Sequence, residues 1–399
     1  MLQSSERAVS QEKAVIVMTV LIDVIGFGIV IPVLPYFAQS FGAGPGAISL
    51  LFSSFAFFSF LSSPFFGALS DRVGRRPVLL ASILTTAVGW FIVAAGTSLW
   101  MVFLGRIVDG LSAGKLTTAQ TYLVDIARDD RERTANLGLV GAAFGIGFLL
   151  GPVIGGLLSA MSPAFPFYAT AVLALANAAL GYFFLPETLK VKSQAPLAFN
   201  PMRPVITAAT TRAIRFDMLS WMFFGLSFVM TTAMFSLYVQ DEFGYTNLAT
   251  GLLFTVVGLV SFANQTFLIR RVWSRRFTDG QLQTIMPLIV TAGLALLASG
   301  NLAVFIAGLV LLGVGQGVFR VVLTSIVAGK APPNMKGEVI GVISGVFSAC
   351  SVIAPALAGP IYEMNRALPF IIGALLMLAA YGASLYSVRT EKETWLPRP

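Results

Sequence analysis

The chain has 399 residues, of which 56% are hydrophobic and 11% are charged, whereas soluble domains carry about 25% charged residues. This composition excludes an ordinary soluble domain and indicates a protein that lies largely within a lipid bilayer. One cysteine, Cys350, and the absence of histidine exclude disulfides within the chain, thiolate or imidazole metal sites, and Ser-His-Asp or Cys-His catalysis. We expect no enzyme activity, no cofactor and no metal, and any proton handling must use carboxylates.

Apolar runs of about 20 residues, the length that crosses a hydrocarbon core of about 30 Å, follow one another along the chain. There are twelve of them, at residues 14–37, 47–69, 77–96, 99–122, 136–160, 165–185, 216–239, 247–269, 283–299, 302–327, 338–360 and 367–388. The first run is too long and too interrupted for a signal-peptide core, so we predict a retained helix. The sequence thus predicts an all-α integral membrane protein with twelve transmembrane helices.

The net charge of +8 could indicate nucleic-acid binding, but the placement of the basic residues favours a membrane topology. Lys and Arg are concentrated in the N-terminal arm, in alternate loops and in the tail, and only Arg366 lies in a loop of the opposite set. By the positive-inside rule, both termini are predicted to lie in the cytoplasm of a multi-pass protein of the cell membrane. We expect no nucleic-acid partner.

Short motifs recur at a constant separation of 203 positions. The matching pairs are Gly138 and Gly341, Phe144 and Phe347, Pro152 and Pro355, and Pro166 and Pro369. Chance agreement from the Gly and Pro bias of apolar helices is the alternative for any single pair. A repeat of half the chain is typical of duplicated transporter bundles with a site near the midplane. We predict two pseudo-symmetric six-helix bundles, residues 1–185 and 216–399, joined by a cytoplasmic linker, residues 186–215, and rocking against each other to expose one central site to each side.

Three charged side chains lie deep in the predicted helices. Asp23 is in the first run, and Arg106 and Asp109 are three residues apart in the fourth. A rise of about 1.5 Å per residue places them near the middle of the membrane, where each charge costs about 2.5–3.5 kcal/mol on insertion scales. Either Asp23 and Arg106 form a static pair that fixes packing, or Asp23 or Asp109 exchanges a proton whose affinity Arg106 sets. We predict that these three residues couple transport to protons.

Further side chains are candidates for substrate contact and gating. Lys115 lies low in the fourth run and either snorkels to the cytoplasmic face or contacts substrate. Arg320 lies equally low in the tenth run, where snorkelling or pairing at an inner gate, which also includes Asp125, is favoured over binding cargo. A lipophilic or amphipathic substrate is favoured by the predicted cavity lining, which is Phe27, Lys115, Gln120, Trp221, Phe224, Phe228 and Gln316.

A short charged turn separates the second and third runs and is the predicted gating loop. It carries Gly67, Asp71, Arg72, Gly74, Arg75 and Arg76. Asp71 is predicted to accept hydrogen bonds from the helix N-terminus near Lys336 and Gly337, and the arginines are predicted to pair with Asp125 or Asp129. Simple orientation of the helices is the alternative role for the arginines.

The fifth run carries a face of small residues that predicts close helix packing. Its members include Gly147, Gly151, Pro152, Gly155 and Gly156.

Together these motifs resemble the major facilitator superfamily. The turn from Gly67 to Arg76 is similar to its loop between helices 2 and 3, which is held to stabilise an outward-open state. Arg106 and Asp109 are similar to its helix 4 motif, implicated in proton transfer, with Asp109 in place of the usual Gln. The run from Gly151 to Gly156 resembles the helix 5 signature of its proton-driven exporters, where kinked packing seals the cavity against leakage.

The N-terminal half resembles tetracycline efflux proteins most, through the acid Asp23 followed by Gly26, Gly28, Pro32 and Pro35. The chain departs from them because its third and ninth runs carry no charge and it has no histidine, which argues against carriage of a metal–tetracycline complex. The resemblance implies a monomeric drug:proton antiporter whose partners are protons, a small molecule and the bilayer. Nutrient or lipid uptake, and a non-transporting membrane protein, are the alternatives.

Overall fold

The computed structural model describes the backbone of residues 2–112, 114–127, 130–189, 192, 200–330 and 336–394, and within these ranges it contains helices but no strand. In chain order the helices are α1 (Leu2–Gln39), α2 (Pro45–Val73), α3 (Arg75–Ala94), α4 (Leu99–Leu111), α5 (Gly114–Asp125), α6 (Asp130–Met161), α7 (Phe165–Phe184), α8 (Arg203–Thr210), α9 (Arg215–Phe243), α10 (Asn247–Ala263), α11 (Ser274–Arg276), α12 (Asp279–Leu297), α13 (Leu302–Gly329), α14 (Lys336–Met364) and α15 (Leu368–Thr394).

The fourth apolar run forms two helices rather than the single one that the sequence predicts. α4 ends at Leu111, Ser112 follows with φ −95° and ψ 4°, and α5 begins at Gly114. The Ser112 hydroxyl donates to the Asp109 carbonyl at 2.6 Å, which satisfies one of the carbonyls freed by the helix end. Within the described ranges, eleven helices are long and apolar enough to cross a membrane, and the twelfth predicted run is the one divided between α4 and α5.

A second irregular stretch follows α10. Residues Asn264–Trp273 form a π-helix, here called the π-segment, a rare conformation that is frequent at functional sites. The buried Asn264 side chain stabilises it, because its amide nitrogen donates to Val314 O at 2.9 Å and its oxygen accepts from Trp273 Nε1 at 2.7 Å. The eighth apolar run is therefore helical but not uniformly α-helical.

Internal contacts divide the chain into two compact units. Unit 1 contains Met1–Gly44, Ser54–Asn200 and Thr246–Thr255, and unit 2 contains Pro45–Ser53, Pro201–Tyr245 and Val256–Pro399. These units differ from the predicted bundles at three places. The start of α2 packs on α14, the start of α10 packs on α6, and the predicted linker is divided between the units after Asn200. A Cβ on Gly359 of α14 would lie 2.6 Å from Gly46 Cα, and one on Gly251 would meet the carbonyl of Pro152.

Candidate functional site

Four charged side chains of unit 1 meet at the break between α4 and α5. Lys115 Nζ lies 2.5 Å from Asp23 Oδ1 and 4.0 Å from Asp109 Oδ1. Arg106 donates to Asp109 Oδ2 at 3.3 Å. Two cations and two carboxylates thus form one network, here called the charge network, in which the formal charges cancel. A balanced set of this kind lowers the cost of burying each charge.

Lys115 forms specific contacts that the sequence did not indicate. Its ammonium binds Asp23 and donates to Thr86 Oγ1 at 2.9 Å. Thr86 in turn shares a 2.8 Å hydrogen bond with Ser112. These contacts join the first turn of α5, which carries Lys115, to α1 and α3.

Arg106 does not form the predicted pair with Asp23, since no ion pair joins these two described residues. Its guanidinium lies over the ring of Phe55, 4.2 Å from the centroid, and 5.2 Å from the ring of Trp90. Only 2% of its side chain is exposed. Such desolvated cation–π contacts contribute about 2 kcal/mol. Arg106 is therefore held by aromatic rings and by Asp109, on its own helix.

The two carboxylates differ in their access to water. The Asp23 side chain is 28% exposed and that of Asp109 is 5% exposed. Asp109 Oδ1 has no hydrogen-bond partner within the described part of the chain, and the Lys115 ammonium lies 4.0 Å from it. A cavity of about 10 Å³, room for one water centre, borders Asp23; its lining includes Thr19, Leu79, Ile83, Lys115 and Asn177. Asp23 is thus the more accessible of the two carboxylates.

The glycine motif of α6 brings that helix against α1. A Cβ on Gly147 would lie 2.6 Å from Val24 Cγ1, and one on Gly151 would lie 2.7 Å from Gly28 Cα. A Cβ on Gly155 would collide with the Ile29 carbonyl. Only glycine permits this approach of two backbones, which fixes the part of α1 that carries Asp23. The two remaining motif residues instead contact the start of α10: Gly156 lies beside Leu248, and Pro152 beside Gly251.

Arg75 is the centre of the predicted gating loop. It forms an ion pair with Asp71 and donates through Nε to Asp125 Oδ2 at 3.0 Å. Arg76 instead donates to the Tyr182 carbonyl at 2.6 Å. The other predicted partners of this loop are Asp129 and the helix start at Lys336 and Gly337. They lie outside the residues whose contacts the structure describes.

Glu187, which belongs to none of the predicted sites, contacts the predicted gating loop. Its carboxylate accepts from the backbone nitrogens of Arg75 at 2.9 Å and Arg76 at 3.2 Å, at the start of α3. A carboxylate at a helix N-terminus satisfies free N–H groups and favours the helix dipole. Gly74, with φ 131°, allows this approach, since a Cβ there would collide with Glu187. The sequence signal for this contact was an acidic residue directly after the sixth apolar run, because the end of that run is predicted to lie on the same side of the membrane as the Arg-rich turn.

The predicted cavity lining requires correction at two aromatic residues. Trp221 and Phe224 are 4% and 1% exposed and stack at 5.2 Å. The Trp221 indole donates to the Ile343 carbonyl at 2.9 Å, so both side chains belong to the core of unit 2. Phe27 is 38% exposed, and Gln120, Phe228 and Gln316 are half-buried, so these four are still accessible to a ligand.

Arg320 was predicted to snorkel or to pair at an inner gate. It is exposed, but it lies nine residues before the end of α13, roughly 14 Å along the helix. No hydrogen bond or ion pair joins its guanidinium to any residue that the structure describes. The predicted pairing is therefore not observed.

A polytopic helical protein with a balanced charge network at a broken membrane helix has the features of a secondary transporter. The profile of the Major Facilitator Superfamily matches residues 16–355, and the chain belongs to this family.

Known relatives cover nearly the whole chain. It is 31% identical to the tetracycline resistance protein, class C, of Escherichia coli, over 92% of this chain and 95% of that protein. It is 25% identical to multidrug resistance protein 2 of Bacillus subtilis, over 95% and 96%. The crystal structure of the human organic anion transporter MFSD10 (TETRAN) superposes with a TM-score of 0.73 at 21% identity, covering 94% of this chain and 99% of that one. This last similarity concerns the fold alone.

Proposed function

We propose that this protein is a proton-coupled antiporter that exports lipophilic or amphipathic small molecules, such as drugs, from the cytoplasm by alternating access. The proposal rests on one observation: Lys115 is paired with the partly exposed Asp23 and lies within 4.0 Å of a second, buried carboxylate, Asp109. An ammonium held between two carboxylates responds to the protonation of either one.

Protonation of Asp23 removes the negative charge that holds Lys115 at 2.5 Å. The ammonium then retains its contacts with Asp109 and the Thr86 hydroxyl, and Coulomb attraction moves it toward Asp109. Because Asp109 lies near the end of α4 and Lys115 at the start of α5, this movement acts across the helix break. Release of the proton on the other side of the membrane restores the original pair. Two discrete arrangements of one element are what a switching transition needs.

The family and its curated relatives support transport rather than catalysis, and the names of two relatives refer to resistance to tetracycline and to multiple drugs. The proton gradient supplies enough energy for this work. One charge that crosses ~100 mV releases roughly 2.3 kcal/mol, which sustains a cargo gradient of about 50-fold. Exchange of one proton for one cargo molecule is therefore sufficient to sustain a cargo gradient of this size.

Reconstituted vesicles test the proposal. A pH gradient is imposed, a panel of labelled lipophilic drugs is added, and drug movement is recorded together with internal pH. We expect the wild type to move drug and protons in opposite directions. The Asp23→Asn variant should bind drug but lose the coupled proton movement, whereas Asp279→Asn, which removes an exposed carboxylate of unit 2, should match the wild type.

Two results would contradict the proposal. Movement of drug and protons in the same direction would identify uptake by symport. Full-rate exchange by Asp23→Asn would show that the proton is carried elsewhere.

A further inference from the structure

The π-segment and α13 lie side by side in unit 2. Besides the bond from Asn264 to Val314, the Ser261 hydroxyl donates to the Gly313 carbonyl at 3.0 Å. The glycines of α13 permit this approach: a Cβ on Gly313 would lie 2.8 Å from Val260 Cβ, and one on Gly317 would lie 3.1 Å from Gln265 Nε2. The contact therefore brings the Gln265 side chain to one particular turn of α13.

That turn carries two further polar side chains, Gln316 and Arg320. They are four residues apart and so share a helix face. Gln265 and Arg320 are exposed and Gln316 is half-buried. None of the three side chains forms a hydrogen bond or an ion pair with any other residue in the described ranges. A guanidinium, which can donate five hydrogen bonds, thus lies within a membrane helix beside two free carboxamides.

The surroundings of this turn indicate which side of α13 it belongs to. With 3.6 residues per turn, Arg320 falls between Gly317, which faces the π-segment, and Phe319, which packs 5.3 Å from Phe224 of α9. Phe224 in turn stacks 5.9 Å from the half-buried Phe228. The side chain therefore lies at the groove between two neighbouring helices, with aromatic surface close by.

Other charges in the described spans of unit 2 offer Arg320 no counterion. Asp217, which is fully buried, accepts from Lys330 at 2.5 Å, from Gln283 at 2.8 Å and from Ser387 at 2.6 Å. In unit 1 the charge network is balanced internally. An unpaired cation inside a membrane helix costs about 2.5–3.5 kcal/mol on insertion scales and marks a site of function by default.

We propose that Arg320, together with Gln316 and Gln265, forms a subsite for the anionic group of the transported molecule, an inference that rests on the proposed function. The ligand class is an amphipathic organic anion, with a carboxylate, sulfonate or phosphate on the guanidinium and an apolar body on the aromatic surface around Phe228. The planar guanidinium suits such oxyanions because it donates two parallel hydrogen bonds. A cationic analogue is rejected because this turn presents positive charge.

Binding to the purified full chain tests the subsite. The probes are tritiated 1-naphthaleneacetate and 1-naphthylmethylamine, which share one ring system and carry opposite charges. We expect the wild type to bind the anion more tightly than the amine. Arg320→Gln should weaken anion binding by about 10- to 100-fold, the loss of a hydrogen-bonded charge pair, and should not weaken binding of the amine. Arg320→Lys, which keeps the charge but not the fork, should give an intermediate affinity.

Matched variants and two lipid compositions identify the source of the effect. Arg276→Gln removes an exposed arginine at the end of α11 and should leave the affinity of both probes unchanged. Nanodiscs of phosphatidylcholine, with or without phosphatidylglycerol, distinguish a soluble anion from a lipid headgroup. Equal anion affinity in wild type and Arg320→Gln would overturn the inference. So would an effect of Arg320→Gln that is seen only when phosphatidylglycerol competes for the site.

This measurement is separable from the test of antiport. If the anion binds through Arg320 but no proton exchange occurs in vesicles, the proposed function fails and the subsite stands. If exchange occurs and Arg320→Gln moves 1-naphthaleneacetate at the wild-type rate and affinity, the subsite fails and the proposed function stands.

Discussion

The two units place their charges differently on the helices that the predicted 203-residue repeat pairs with each other. In unit 1 the helix is broken at Ser112, and Arg106, Asp109 and Lys115 form a network with Asp23. In unit 2 the corresponding helix α13 is unbroken over 28 residues. There the repeat places leucines opposite Arg106 and Asp109: Leu309, which is 0% exposed, and Leu312, which is 6% exposed.

This difference shows that the two units accommodate charged side chains in different ways. Burying four charges requires partners, and the helix break supplies one indirectly, because Ser112 bonds the Thr86 hydroxyl that accepts from Lys115. In unit 2, α13 has no such break and buries Leu309 and Leu312 at the corresponding positions, with Arg320 exposed two turns further along the helix. Under the proposed function, the charge network of unit 1 carries the proton-dependent change, and unit 2 carries the proposed subsite for cargo.

The largest difference between the units is expected when the half-buried Lys115 and the exposed Arg320 are each replaced by methionine. Lys115→Met leaves Asp23 and Asp109 without their shared ammonium, and loss of one member of a buried ion pair costs about 3–5 kcal/mol. Arg320→Met leaves no described carboxylate unpaired and should not lower the stability. Thermal unfolding of the detergent-purified variants, followed by tryptophan fluorescence, measures both.

The double variant Asp23→Asn/Lys115→Met controls the Lys115 result. It should recover much of the stability lost in Lys115→Met, since a neutral amide needs no counterion, but it should not recover proton-coupled exchange. Equal melting temperatures for Lys115→Met and Arg320→Met would show that the charge network does not hold unit 1 together.

Helix contact through glycine gives the next largest effect. Gly155→Ala places a methyl group against the Ile29 carbonyl, and because backbone cannot move aside cheaply we expect a loss of about 3 kcal/mol. Gly138→Ala, on the same helix, and Gly341→Ala, its counterpart in the repeat, meet nothing within 4 Å and should be neutral or slightly stabilising. Thermal unfolding of the three variants checks this, and a silent Gly155→Ala would refute the close approach of α1 and α6.

The predicted gating loop of unit 1 and the corresponding turn of unit 2 differ in whether the backbone requires glycine. Gly74 has φ 131°, a region that is essentially restricted to glycine, so Gly74→Ala should cost roughly 2 kcal/mol and displace Glu187 from the start of α3. The repeat places Phe277 at the matching position, with an ordinary φ of −132°. Gly67→Ala, in the same motif but with open space around it, is the control. Transport rate and melting temperature should fall only in Gly74→Ala; a drop of similar size in both variants would point to a general sensitivity of the turn.

The smallest effect is expected at the membrane edge of unit 1. Lys13 and Glu132 form a 2.9 Å ion pair with side chains 26% and 25% exposed, and pairs of this kind contribute about 0–1 kcal/mol. Lys13→Ala should shift the melting temperature little at low salt and not at all at high salt. A large shift would mean that the edge of α1 matters as much as its centre.

Much of this protein follows from its sequence by itself. Hydropathy and spacing report local properties of a chain without reference to distant residues. Such properties include the twelve apolar runs, the placement of Asp23, Arg106 and Asp109 within them, and the glycines of the fifth run. The family profile and the close α1–α6 packing agree with these predictions.

Only the tertiary structure decided which groups meet. Four findings depend on helix rotations and on distances of a few ångströms. They are the pairing of Asp23 with Lys115 rather than Arg106, the break after Leu111, the cap formed by Glu187, and the burial of Trp221 and Phe224. Residues far apart in the chain set those distances jointly, and no local pattern in the sequence encodes them.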